Sequence, residues 1–138
     1  MKLVIIAAGR GSRLSSISEG IPKILIEVYN KTLLEHLIHN CVLVGITDIV
    51  IVTGHNSSMI DDYISKKEFR VNIELIYNAD WELPNGVSVL ASKNSIPKDD
   101  DFMISMIFSY LRCWHILCKR ASKYEKPINV LAYKYEKN

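Results

Sequence analysis

Apolar and polar positions fall in blocks along this chain. Leu3-Val4-Ile5-Ile6-Ala7-Ala8 is an unbroken apolar run, and Asp48 to Thr53 encloses another, Ile49-Val50-Ile51-Val52. Such runs, rich in β-branched residues and closed by glycine, predict strands buried on both faces. Between them Leu33, Leu34, Leu37, Ile38 and Cys41 recur at helical spacing. Thr32-x-x-Glu35 forms a capping box at the start of that helix, and Gly45 marks its end. Ser57 or Ser58 is expected to cap a second helix that buries Met59, Ile60, Tyr63 and Ile64. Val71 to Tyr77 alternates in part and reads as a third strand, and Phe102 to Met106 as a fourth. Pro22 to Ile26 reads as extended, with a turn at Tyr29-Asn30-Lys31. From Ser109 a helical pattern (Leu111, Trp114, Leu117, Cys118, Ala121) runs until Pro127, and Ile128 to Tyr133 reads as a fifth strand.

Strands alternating with helices predict an α/β fold: a three-layer, doubly wound, mostly parallel sheet with right-handed crossovers. With 138 residues the chain is expected to be a single domain spanning 1–138. Ligands of such sheets bind at the carboxyl ends of the strands, which puts the loop after the first strand in the place to look.

That loop is Gly9-Arg10-Gly11-Ser12-Arg13. Gly9 and Gly11 permit a sharp turn and a close approach of backbone to ligand. Main-chain N–H groups in such a loop can cradle phosphate oxygens. Arg13 adds a forked cation and Lys23 a point charge. The pattern reads as a triphosphate cradle. It is not a dinucleotide fingerprint, since Leu14 stands where a third glycine is required, and no Gly-Lys-Ser/Thr makes it a Walker loop. A bare Gly-x-Gly after a strand is also an ordinary tight turn, and that reading stays open. Asn85-Gly86, after the third strand, is either a plain turn or part of a pocket wall, with Ser88 in the first turn of a short helix.

Other groups carry less. His36 and His39 lie three apart on the outer helix face, and without a third ligand nearby they read as a solvated face rather than a zinc pair. Asp99-Asp100-Asp101 precedes the fourth strand, at its amino end, and reads as a solvated turn rather than a metal site. Arg112, Lys119, Arg120 and Lys123 read as solvated surface, and His115 as structural. A net charge of +2, with no aromatic residues arranged as a stacking platform, argues against nucleic acid. Cys41, Cys113 and Cys118 are odd in number and form no Cys-x-x-Cys pair, which suits free thiols in the cytoplasm. The opening apolar run is too short for a signal peptide, and no stretch approaches a membrane span.

Ala7-Ala8-Gly9-x-Gly11-x-Arg13-Leu14, followed by Pro22-Lys23-Ile24-Leu25, closely resembles the signature of the sugar-phosphate nucleotidylyltransferase superfamily. The likeness covers about the first 108 residues well. It implies a Rossmann-like nucleotidyltransferase fold and transfer of a nucleotidyl group from a nucleoside triphosphate to a sugar or polyol phosphate, with release of pyrophosphate. It further implies that backbone around Ala7, Ala8 and Gly9 holds base and ribose, and that Gly11, Ser12 and Arg13 hold the β- and γ-phosphates. Lys23 would sit at the α-phosphate, which makes Arg13 and Lys23 the candidate catalytic cations, and Asn85, Gly86 and Ser88 would line the nucleotide pocket. Thr53-Gly54-His55 and Asn85-Gly86-Val87-Ser88-Val89-Leu90 look most like cytidylyltransferases of alcohol and polyol phosphates, such as inositol phosphate or phosphocholine, so CTP is the base expected.

The resemblance also implies a magnesium ion held by an aspartate just after the fourth strand. No Asp or Glu occurs from Phe102 to Tyr124. Asp80 and Glu82 are the acids placed to substitute. Relatives of this kind continue further, with an acceptor-binding part, so the domain is expected to be truncated. Two further readings therefore stand beside the enzyme: a catalytically impaired nucleotide-binding remnant, and a structural module in which the cradle is an inherited turn. A shortened sheet with an apolar edge would favour a homodimer.

Overall fold

Among the described residues four parallel strands carry the fold: β1 (Lys2–Ile6), β4 (Asp48–Thr53), β5 (Asn72–Tyr77) and β6 (Phe102–Met106), in the spatial order β5-β4-β1-β6. A small antiparallel hairpin, β2 (Glu27–Val28) and β3 (Lys31–Thr32), precedes the first helix. The described α-helices are α1 (Leu33–Leu43), α2 (Ser57–Ser65) and α3 (Asn85–Ala91). The structure, a computed structural model, describes residues 1–11, 20–98 and 101–106. The expected helix from Ser109, the strand at Ile128 to Tyr133, Asp99, Asp100, His115, Cys113 and Cys118 lie outside the described residues.

The register is level. Lys2 pairs with Asp48 and with Phe102, and Asp48 with Asn72. All four carboxyl ends therefore open on one rim. Winding reverses there: the chain moves outward from β1 through β4 to β5, then returns to the far side of β1 as β6. This is the predicted doubly wound arrangement, and β1 stands beside the switch point.

Side-chain alternation explains why β1 and β4 are apolar throughout. Leu3, Ile5, Ile49 and Ile51 face one core, filled from α1 by Leu34, Leu37, Ile38 and Cys41 and from α2 by Ile60. Val4, Ile6, Val50 and Val52 face the other, against Val89 and Ala91 of α3 and Ile96 beyond it. Each fully buried Ile or Leu contributes about 1.5–3 kcal/mol relative to exposure. Burial pushes the Cys41 thiol up to about 11, so it is an inert packing group. Among the described residues no helix is long and apolar enough to cross a membrane.

The first helix begins as its capping box predicts. Thr32 Oγ1 accepts from the Glu35 N–H at 3.2 Å, and the Glu35 carboxylate accepts from the Thr32 N–H at 2.8 Å. It ends in a Schellman motif: Gly45 at φ +78°, with the Ile46 N–H donating to the Cys41 carbonyl at 2.8 Å. The hairpin turn is built on Tyr29 and Asn30, both at positive φ, as a two-residue primed turn requires.

Four local expectations are corrected. Pro22 to Ile26 is not extended: Lys23–Leu25 is one 3₁₀ turn, which carries Ile24 into the core at 1% exposure. Neither Ser57 nor Ser58 caps α2. Asn56 takes the N-cap position at φ +54°, and its side-chain amide donates instead to the Gly20 carbonyl at 2.7 Å. Met59 is 40% exposed, because the apolar stripe of α2 runs through Ile60, Tyr63 and Ile64 and Met59 falls beside it. His36 is half-buried rather than solvated, its Nε2–H donating to the Val28 carbonyl at 2.8 Å and tying the hairpin to α1, while His39 is exposed.

Lys67 Nζ donates to Glu35 Oε1 at 2.6 Å and to the Tyr63 hydroxyl at 2.8 Å, joining the capping box to the end of α2. Burial alone would push the Glu35 carboxyl up. Hydrogen bonds from Lys67, from the Thr32 N–H and from Tyr63 outweigh it and hold the group at about 2, against an ordinary 4.5. The folded value is the lower one, so this stabilisation is full above pH 4.5 and declines as pH falls toward 2. Glu35→Gln should cost about 1 kcal/mol at pH 7. Urea melts should show that gap narrowing by about pH 3.5; an unchanged gap would detach the cost from the carboxylate charge.

Candidate functional site

Beyond β1 the backbone stays bound to the sheet for two residues. The Ala7 N–H donates to the Val52 carbonyl at 2.8 Å, and the Ala8 carbonyl accepts from the His55 N–H at 3.0 Å. Both alanines are buried. The loop leaves the sheet at Gly9, which is exposed, with no described atom within 4 Å of where a Cβ would stand. Gly11 is different. It sits at φ +71°, and a Cβ there would lie 2.6 Å from Lys23 Cε and 3.0 Å from Cγ. The Lys23 stem therefore lies directly against Gly11, brought there by the 3₁₀ turn after Pro22. The glycine loop and the lysine, twelve residues apart in sequence, form one locale on the carboxyl rim. Ser12 and Arg13 lie outside the described residues.

The loop after β5 reaches the same rim. The Asn78 N–H extends the sheet by donating to the Thr53 carbonyl at 2.8 Å. Asn78 Nδ2 donates to Ser88 Oγ at 3.0 Å, and its Oδ1 accepts from the Asp80 N–H at 3.0 Å. Ser88 is thus buried and fastens α3 to the end of β5. Asn85 and Gly86 open α3 as its first two residues, both exposed, and no described atom stands within 4 Å of a Gly86 Cβ.

The sequence reading missed the place of Trp81 on this rim and the pairing of Arg10 with Glu82. Trp81 crosses over Gly54 at the end of β4, so closely that a Gly54 Cβ would strike the Trp81 Cβ and stand 2.8 Å from the Ala8 carbonyl oxygen. The Trp81 ring packs on the His55 ring, centroids 5.0 Å apart and tilted by 45°. The Arg10 guanidinium lies 5.3 Å from the Trp81 ring centroid and donates to Glu82 Oε1 at 3.4 Å. Gly54, directly after a buried strand, was the available signal; nothing in the periodicity announced Trp81.

A family model, that of the nucleotidyl transferases, matches residues 2–127. The chain belongs to the nucleotidyl transferase family. Among its relatives, a choline-phosphate cytidylyltransferase from Streptococcus pneumoniae is 37% identical over 78 residues, covering 56% of this chain and 32% of that protein. A mannose-1-phosphate guanyltransferase from Hypocrea jecorina is 29% identical over 101 residues, covering 72% of this chain and 28% of that one. The inositol-1-phosphate CTP transferase from T. maritima shares the fold, with a TM-score of 0.67 at 20% identity, over 77% of this chain and 42% of that one. The chain thus spans well under half the length of these relatives.

The nucleotidyl transferase family raises the question of magnesium, and the described residues gather no cluster of donors for it. Magnesium favours carboxylate oxygens in near-octahedral arrangement. No Asp or Glu occurs from Phe102 to Tyr124. Among the described residues no group of three or more His, Cys, Asp or Glu could hold a metal. Of the two acids expected to substitute, Glu82 is paired with Arg10, and Asp80 is exposed with its N–H on Asn78 Oδ1.

Gly54→Ala should cost about 1–3 kcal/mol, because the methyl group meets a Cβ and a backbone oxygen, neither free to swing away. Gly86→Ala, in open space inside a helix, should be neutral or stabilising by up to about 1 kcal/mol. Thermal melts of the two variants check the contrast.

Proposed function

We propose that this chain grips the polyphosphate of a nucleoside triphosphate between the 9–13 loop and Lys23, as the nucleotide-binding part of a nucleotidyl transferase. The observation that carries this reading is the Lys23 stem laid against Gly11 at positive φ. It supports a cation held beside the backbone N–H groups of a turn, an arrangement suited to phosphate oxygens. Gly9, Gly11, Ser12, Arg13 and Lys23 are the proposed phosphate contacts. Backbone at Ala7, Ala8 and Gly9 would meet base and ribose, with Asn85 and Gly86 on the pocket wall. Ser88 would act there through its bond to Asn78 rather than by touching the nucleotide.

The reaction proposed is nucleotidyl transfer. A phosphate oxygen of a sugar or polyol phosphate forms a bond to the α-phosphorus, the bond from that phosphorus to the α–β bridging oxygen breaks, and pyrophosphate leaves with its electron pair. Lys23 and Arg13 neutralise charge on the phosphates as this occurs. CTP is the first nucleotide to test, because a choline-phosphate cytidylyltransferase and an inositol-1-phosphate CTP transferase are among the relatives. A second reading, nucleotide binding with little or no turnover, is favoured by one observation: the missing carboxylates from Phe102 to Tyr124.

Thermal-shift titrations with each of the four triphosphates, with and without magnesium, test the binding. A ligand at a hundred times its dissociation constant should add about 2.7 kcal/mol. Lys23→Ala and Arg13→Ala should each abolish most of that shift and, where turnover exists, slow it about a hundredfold. Pyrophosphate release with a panel of sugar and polyol phosphates separates enzyme from binder. If no triphosphate shifts the melting temperature, the cradle is only a turn.

A further inference from the structure

The mouth of the site holds a cation that the proposed contacts leave out. Arg10 stands between the two glycines of the loop, and its guanidinium reaches sideways to the 78–84 loop, over the Trp81 ring and onto Glu82. The contact spans the end of β4, since the 78–84 loop begins at β5 and Arg10 follows β1. The Trp81 side chain is firmly seated on Gly54 through its Cβ and Cγ. The Arg10–Glu82 pair is not: its side chains are 62% and 69% exposed and 3.4 Å apart. A solvated pair of this kind biases its partners by no more than about fivefold.

We propose that Arg10 is an additional polyphosphate-binding residue, held in reserve by Glu82. The inference rests on the triphosphate reading of the neighbouring loop. When a triphosphate tail enters, its oxygens replace the carboxylate, because Glu82 offers Arg10 one oxygen at 3.4 Å while the more highly charged phosphates can fill both prongs of the guanidinium fork. Arg10 then leaves the face of Trp81 and releases Glu82, which undoes this tie between the glycine loop and the 78–84 loop. Glu82 is a competitor in this arrangement and Arg10 a ligand, so their removal has opposite effects. A merely structural bridge would behave otherwise: losing either end would loosen the mouth and weaken binding alike.

The test uses calorimetric titration of the full chain with inorganic triphosphate and with CTP. Glu82→Gln should tighten binding about two- to fivefold, and Arg10→Ala should weaken it about tenfold. The chain has two tryptophans, so Trp114→Phe leaves Trp81 as the sole reporter. Its emission should change on ligand binding in the Trp114→Phe chain and stay constant when Arg10→Ala is added. If Trp114→Phe does not fold, the two affinities in the parent decide alone. Heat of binding with Glu82→Gln unchanged or weaker overturns the proposal and leaves the cradle standing. No heat with either ligand overturns both.

Discussion

Strand β1 has no solvent-facing side. It is flanked by β4 and β6, covered by α1 on one face and α3 on the other, and Val4 and Ile5 are fully buried. That constraint governs everything beyond Ile6. A strand so enclosed cannot tilt or slide to suit a ligand. The loop it feeds therefore leaves the sheet at a fixed point, and Ala7 and Ala8 hold that point by continuing the ladder to β4. Any recognition at this rim must come from the loop and from segments brought to it.

Two segments are brought to it by different means. Lys23 arrives through one turn of 3₁₀ helix after Pro22, which buries Ile24 in the core and turns the neighbouring lysine toward Gly11. Trp81 arrives through topology, because β5 is in register with β4 and its loop must cross the end of that strand. The first brings a charge to the loop and the second a wall. Neither depends on the other, so damage to the wall need not remove the cation.

The sheet was legible because its signals are strong and redundant. Two unbroken β-branched runs can only be strands covered on both sides, and one capping box with one glycine stop delimits α1. The meeting of Gly11 with Lys23 was legible through the loop's glycines and the Pro22-Lys23 that follows them. What escaped has a common physical cause. The turn at Lys23–Leu25, the left-handed Asn56 at the head of α2, and the seat of Trp81 over Gly54 are all settled by partners remote in sequence. Asn56 looked like part of a turn beside two better caps, yet its side chain is taken by Gly20. Ser88 was expected on the pocket wall, and only the fold reveals Asn78 beside it and the bond that fastens α3 to β5.

The glycines sort the rim into what this chain's own packing demands and what it leaves open. Gly11 and Gly54 have neighbours that a methyl group would strike, the Lys23 stem in one case and Trp81 with the Ala8 carbonyl in the other. Their lack of a side chain is explained from within. Gly9 and Gly86 have no described atom within 4 Å of a Cβ, and neither sits at a positive φ. Nothing described in the fold requires glycine at either place. Both are exposed on the carboxyl rim, one opening the cradle loop and the other beginning α3. Main chain with no described neighbour over it, twice on the same rim, is what the proposed contact of a nucleotide with backbone at Gly9 requires.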